Sequence, residues 1–162
     1  MKIEAEKYFF NLAIKYLGKF PATKSRIKEY LKNNIRNKKI YQKVIFPEFF
    51  DQEAFIENIV LKLDKLKIIN ESHYLESMFN YYKESLFSIR KIKNKLYQKG
   101  FDQKIIDEFF ATQLQDDPDF EITILRRYIQ KKKLENLDSS ELKKKLYQQS
   151  FSENSIYKLI EK

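Results

Sequence analysis

"SIRKIKNKLYQKGF" at residues 88–101 and "DSSELKKKLYQQSF" at 138–151 are two versions of one phrase. Within them "KLYQKGF" and "KLYQQSF" agree at five of seven positions, at an offset of 50. Each phrase opens on a short oxygen-bearing side chain, Ser88 or Asp138, able to accept the free N–H groups of a new helix. Apolar residues follow at +4 and +8: Ile92 and Leu96, then Leu142 and Leu146. That spacing puts both on one helical face. The same phrase occurs more faintly from Thr23, with Ile27 and Leu31 at those offsets. These six apolar residues are the expected core.

A second signal lies downstream. "FDQE" at 50–53, "FDQK" at 101–104 and "FSEN" at 151–154 place Phe before Asp51, Asp102 or Ser152. An aromatic residue ahead of an N-cap can staple the first turn of a helix. Apolar stripes follow: Phe55, Ile59, Leu63 and Leu66, then Ile105, Ile106, Phe109 and Phe110, then Ile156, Leu159 and Ile160. Upstream of each phrase the periodicity predicts a longer helix, over 3–18, 72–86 and 119–134.

The chain therefore reads as all-α, three tandem three-helix repeats in an elongated, curved array. The division is 1–69, 70–116 and 117–162. The first step is 65 residues and the second 50, so the first repeat carries an insertion, placed at about 36–50. Pro47 is expected to end a helical extension there, with Phe46, Phe49 and Phe50 partly docking it. Pro118 suits a helix's first turn. Gly100 suits a helix end, and Ser150 in its place suggests a different backbone in the third copy. No sheet is expected, since two Gly and three Pro are few for a sheet-rich fold.

Composition limits the chemistry. Without Cys there is no disulfide, thiolate nucleophile or Cys metal site. The two glycines cannot form a phosphate-cradling loop. His73, the lone histidine, reads as a surface residue, and Asp116, Asp117 and Asp119 as an acidic linker rather than a metal site. No enzyme activity and no cofactor are expected. The N-terminus does not read as a signal peptide, and no apolar run approaches a membrane span. A cytoplasmic protein without membrane association is expected, and a monomer, since no symmetric interface is visible.

A net charge of +9 favours a polyanionic partner, although a Lys-rich composition alone could produce it. The bias falls on the middle helices: Arg26, Lys28 and Lys32, then Arg90, Lys91, Lys95 and Lys99, then Lys143, Lys144 and Lys145. These are the candidate partner- or nucleic-acid-binding residues. The alternative is a set of solvated helix faces. Tyr30, Tyr97 and Tyr147 could stack on bases or anchor a protein, but core or boundary packing is the expectation.

The pattern resembles the RecX family, bacterial modulators of RecA recombinase. "NLAIKYLGKFPATKSRIKEYL" (11–31) is similar to that family's opening helix pair. "IINESHYLESMFNYYKESLFSIRKIKNKLYQKGF" (68–101) is similar to its most recognisable stretch, and "SSELKKKLYQQSFSENSI" (139–156) to its closing repeat. Glu71 stands for the usual Asp, Tyr74–Leu75 for Phe–Ala, Ser88 for Gly and Arg26 for Glu. The resemblance implies a string of three-helix repeats. It also implies a protein that binds the RecA–DNA filament, single- or double-stranded DNA included, and inhibits the recombinase. A helical-repeat protein that binds DNA or RNA directly, or a helical scaffold for another protein, remain alternatives.

Overall fold

The structure, a computed structural model, describes residues 3–160. Among them the chain is all-α, with ten helices and one minimal strand pair. The order is β1 (Ile3–Glu4), α1 (Ala5–Leu17), α2 (Lys24–Ile35), α3 (Lys38–Tyr41), β2 (Val44–Ile45), α4 (Gln52–Lys65), α5 (Glu71–Glu84), α6 (Ile89–Gln98), α7 (Gln103–Asp116), α8 (Phe120–Lys132), α9 (Ser139–Gln148) and α10 (Glu153–Ile160). The chain divides into two compact units. The first ends at Tyr74 and the second begins at Leu75.

In the first unit α4 packs on α1 and α2. Phe9, Ile27, Leu31, Ile59 and Leu63 are fully buried. Each such side chain contributes about 1.5–3 kcal/mol of burial free energy. The segment 36–50 differs from expectation. Its helix is only α3, capped by the Asn37 side chain, and Pro47 follows a strand rather than a helix. That strand, β2, pairs in parallel with β1 in the register Ile3 to Val44 and Glu4 to Ile45. This two-residue pairing corrects the expectation of no sheet. The reason is local: Val44 is buried and β-branched, and its backbone finds partners in the extended residues before α1. Phe46 lies 6.0 Å from Phe9, 4.4 Å from Phe50 and 4.7 Å from Tyr41, ring to ring. Phe46 and Phe50 are docked on the core, whereas Phe49 is 93% exposed.

In the second unit α10 packs on α8 and α9, and α6 on α7. Phe79 stacks on Phe120 at 5.4 Å and meets Phe109 and Phe110 edge-on. Ile92, Leu96, Ile106, Leu125, Leu146 and Ile156 are fully buried. Leu142 is not; it is half-buried, unlike Ile27 and Ile92 at the matching positions. The stripes also rotate slightly. Leu66 and Ile105 are exposed, and Ile56 and Val60 take part in the core instead.

Local chemistry explains where the helices start and stop. Thr23, Ser88 and Asp138 each accept a backbone N–H of the first turn of α2, α6 and α9. Asp51 and Asp102 do the same for α4 and α7, and Ser152 Oγ accepts from Ser155 N ahead of α10. Pro118 precedes the N-cap residue of α8, Asp119, and so lies just outside the helix. Five helices stop in one way, with a left-handed residue closing two backbone bonds. The residues are Lys67, Leu86, Gly100, Lys133 and Ser150. After each comes an apolar residue whose N–H reaches back to an apolar residue's carbonyl: Ile68 to Leu63, Phe87 to Tyr82, Phe101 to Leu96, Leu134 to Ile129 and Phe151 to Leu146. Ser150, at φ 63°, thus keeps the left-handed conformation of Gly100, against the expectation of a different backbone. Buried Phe101 and Phe151 hold this turn closed at both sites.

Candidate functional site

A cleft of about 1050 Å³ opens within the second unit. Its α6 wall carries Arg90, Lys93, Asn94 and Tyr97. The spacing i, i+3, i+4, i+7 forces these four onto one face. Facing residues come from the end of α9, with Tyr147, and the start of α10, with Asn154. Tyr97 is 62% exposed and Tyr147 41%. Both rings therefore depart from the expectation of core packing, whereas Tyr30 is half-buried and stacks on Tyr16 at 4.3 Å. The Tyr147 phenol is pushed up from its ordinary pKa by loss of water, with Glu153 and Tyr157 adding to the shift. It remains a neutral hydroxyl at physiological pH.

The cations differ in availability. Lys93 Nζ is 2.7 Å from Asp107 Oδ1 and lies over the Phe110 ring. This ammonium, with a further hydrogen bond from Gln103, holds the Asp107 carboxyl below its usual range. Arg90 is exposed and has no ion pair among the described residues; the same is true of Lys95, Lys144 and Lys145. Lys91 Nζ donates to Gln149 Oε1 at 2.6 Å. Lys143 lies over the Tyr157 ring at 4.5 Å, and Lys99 is exposed as the C-cap residue of α6.

The first unit is different. Arg26 pairs with Glu29, Lys28 with Glu57 and Lys32 with Glu53. These cations are matched by acids on the same or the adjoining helix, so α2 presents less free positive charge than its sequence suggests. Exposed pairs of this kind add about 0–1 kcal/mol each to stability.

The floor of the cleft is built on Glu121, which is 5% exposed. Its Oε1 accepts from the backbone N–H of Ile89, the first residue of α6, at 3.1 Å. Its Oε2 accepts from Ser152 Oγ at 2.5 Å, Ser155 Oγ at 2.8 Å and Ser152 N at 3.3 Å. One carboxylate thus ties the starts of α6 and α10 to α8. The first unit repeats half of this arrangement: Glu71 Oε1 accepts from Lys24 N, the first residue of α2, at 2.5 Å. Both acids favour the helix N-termini they face, through the hydrogen bond and through the helix dipole. Residue-by-residue reading gave neither Glu71 nor Glu121 this role. A signal was present: each stands 17 residues before the N-cap of the next short helix, Ser88 or Asp138, and Glu6 stands 17 before Thr23.

Among the described residues no three His, Cys, Asp or Glu side chains converge to hold a metal ion. His73 is exposed in the first turn of α5, where its N–H donates to Asn70 Oδ1. No described helix is long and apolar enough to cross a membrane.

Fold and site together define the class: an all-α protein of short, mutually capped helices bearing a cleft walled by Arg90 and two exposed tyrosines. Two crystal structures share the fold. RecX from Lactobacillus salivarius has a TM-score of 0.69 at 18% identity, covering 96% of this chain and 94% of that one. A second structure of regulatory protein RecX has a TM-score of 0.67 at 21% identity, covering 96% of this chain and 71% of that one. Regulatory protein RecX of Caldanaerobacter subterraneus subsp. tengcongensis is 27% identical over 111 residues, 68% of this chain and 55% of that protein. No family model matches the chain. Sequence and fold both support the RecX family for this chain. The matched region spans about half the length of the curated relative.

Proposed function

We propose that this chain is a RecX-like regulator that binds the RecA–DNA filament and restrains the recombinase. In this reading it is built from three-helix repeats at 1–69, 70–116 and 117–162 and acts by binding rather than by catalysis. The observation that carries the reading is the RecX fold over 96% of the chain, joined to a curated RecX sequence match. The exposed cations of the second unit, of which Arg90 lines the cleft, supply physical support. A nucleoprotein filament offers phosphates and acidic side chains, and Arg90, Lys95, Lys144 and Lys145 are cations with no ion pair among the described residues. The other candidates, Arg26, Lys28, Lys32, Lys91, Lys99 and Lys143, would contribute less where they are already engaged.

Direct binding to single-stranded nucleic acid is the second reading. Exposed Tyr97 and Tyr147 beside Arg90 favour it, because bases stack on such rings with little regard to sequence. The test is Arg90→Glu with Lys95→Glu, assayed for binding to RecA–DNA filaments and to naked single strands at low and high salt. The regulator reading expects filament binding to weaken and its salt dependence to become shallower. Binding of filament and naked DNA with equal affinity would favour the second reading. Filament binding unchanged at both salts would remove these cations from the interface.

A further inference from the structure

Each unit carries one repeat feature without its counterpart, and the two features match each other. At positions fixed by the caps, the helix ends of successive segments differ in cover. Thr23 and Ser88, the N-caps of α2 and α6, are 0% exposed, whereas Asp138, the N-cap of α9, is exposed. Four residues on, Ile27 and Ile92 are fully buried and Leu142 only half-buried. Eight residues after the next cap, Ile59 and Phe110 are buried and Ile160 half-buried. Leu142 and Ile160 instead line an open groove of about 430 Å³ with Leu137 and Leu159. The N–H groups of Lys24 and Ile89 each receive a carboxylate, from Glu71 and Glu121. Ser139 is the matching first residue of α9 and has no such acceptor among the described residues.

The first unit carries what is missing. Glu71, Leu75 and Phe79 form an i, i+4, i+8 stripe on α5, and Glu121, Leu125 and Ile129 form the same stripe on α8. The apolar members of both are buried. On α1 the stripe is Glu6, Phe10 and Ile14, and all three are only half-buried. Glu6 is held by nothing beyond an exposed pair with Lys62, and Glu4, Glu6 and Phe10 border a groove of their own. Net charge does not oppose the match: Arg126 and Glu135 both stand on the α9–α10 groove, and Glu4 and Glu6 share the α1 groove with Lys7 and Lys62.

We propose that two copies of this chain associate head to tail, the Glu6–Phe10–Ile14 stripe of one on the Ser139–Leu142–Ile160 groove of the other. Glu6 then accepts from Ser139 N–H, and Phe10 covers Leu142. The inference rests on the repeat register of the proposed architecture but not on filament binding. The contact is heterologous, with different surfaces on the two partners.

Sedimentation velocity of the full chain, from micromolar to about 1 mM, is the test. The parent should show concentration-dependent association. Ser139→Pro removes the single N–H concerned at a helix position that tolerates proline, after a residue already in the extended conformation that proline requires. It should weaken association about tenfold while leaving the melting curve in place. Glu6→Arg should do the same from the other end. Ser139→Pro combined with Leu142→Asp should abolish assembly through the groove. Mixed with Glu6→Arg, which keeps an intact groove, that double variant should yield dimers and nothing larger. Circular dichroism would confirm that each variant is folded. A parent that stays monomeric to about 1 mM overturns the proposal, as does a folded mixture that forms no dimer. Either failure would leave the filament-binding reading standing, since no filament enters the assay.

Discussion

Glu121→Ala is the substitution for which the structure makes the sharpest demand. The carboxylate is almost fully buried and accepts four hydrogen bonds, from Ile89 N, Ser152 N, Ser152 Oγ and Ser155 Oγ. Removing it strands Ile89 N–H, whereas the buried Ser155 hydroxyl keeps its 2.8 Å hydrogen bond with Ser152 Oγ and exposed Ser152 can recruit water. An unsatisfied buried donor costs about 1–3 kcal/mol, and with the lost serine hydrogen bonds and methylene contacts the total is about 2–5 kcal/mol. Glu71 makes one corresponding bond, to Lys24 N, from a half-buried position. Its alanine variant should lose about 1–2 kcal/mol. Urea titration followed by circular dichroism would measure both. Ser155→Ala alone and with Glu121→Ala would complete a cycle. The double variant should lose less than the sum of the singles, because each single already removes the Ser155–Glu121 hydrogen bond. A loss for Glu121→Ala below about 1 kcal/mol, or no larger than that for Glu71→Ala, would refute the assignment of this carboxylate as the tie between α6, α8 and α10.

Other outcomes follow from burial and charge. Leu96→Ala should cost about 2–5 kcal/mol and Leu142→Ala clearly less, read from the same titrations, because only Leu96 is fully enclosed. Ser150→Gly should stabilise the chain by about 0.5–1 kcal/mol, since Ser150 occupies a left-handed conformation that glycine adopts without a side-chain clash. In thermal melts Phe46→Ala should destabilise the first unit by about 2–4 kcal/mol, whereas Phe49→Ala should shift it within about 0.5 kcal/mol. Asp107 has its pKa lowered in the fold by Lys93 and Gln103. Its contribution is present above its unfolded pKa and is lost as pH falls through the folded value. The stability gap between the parent and Asp107→Asn should therefore be visible at pH 7 and close as pH falls below the ordinary carboxylate range.

What was legible in the sequence was local. A cap needs one oxygen and a free N–H two or three residues on, so Thr23, Ser88, Asp138, Asp51, Asp102 and Ser152 could be read directly. The apolar positions at +4 and +8 likewise depend on helical pitch alone, and five of those six residues are fully buried. Leu142 is the exception because burial also needs something on the far side, which pitch cannot supply. The docking of Phe46 and Phe50 was expected, but the exposure of Phe49 and the two-residue strand pairing between segments some forty residues apart were not legible. Ser150 was misread because residue preference at a left-handed position is weak beside a buried C-terminal neighbour, here Phe151 on Leu146. The candidate cations were legible as a charge bias but not as a surface. Glu53 and Glu57, which neutralise Lys32 and Lys28, belong to α4, a helix brought to α2 only by folding. The cleft was out of reach for the same reason, since Tyr97 and Tyr147 come together from separate helices.

The central claim is that the chain acts on a recombinase filament. Its most direct test is cosedimentation of the full chain with RecA assembled on single-stranded DNA, alongside RecA alone and DNA alone, at a salt concentration where binding to naked DNA is weak. The account predicts that the chain pellets with the filament well beyond its recovery with either component, and that Arg90→Glu with Lys95→Glu reduces that fraction. Recovery with the filament no greater than with DNA alone would contradict it.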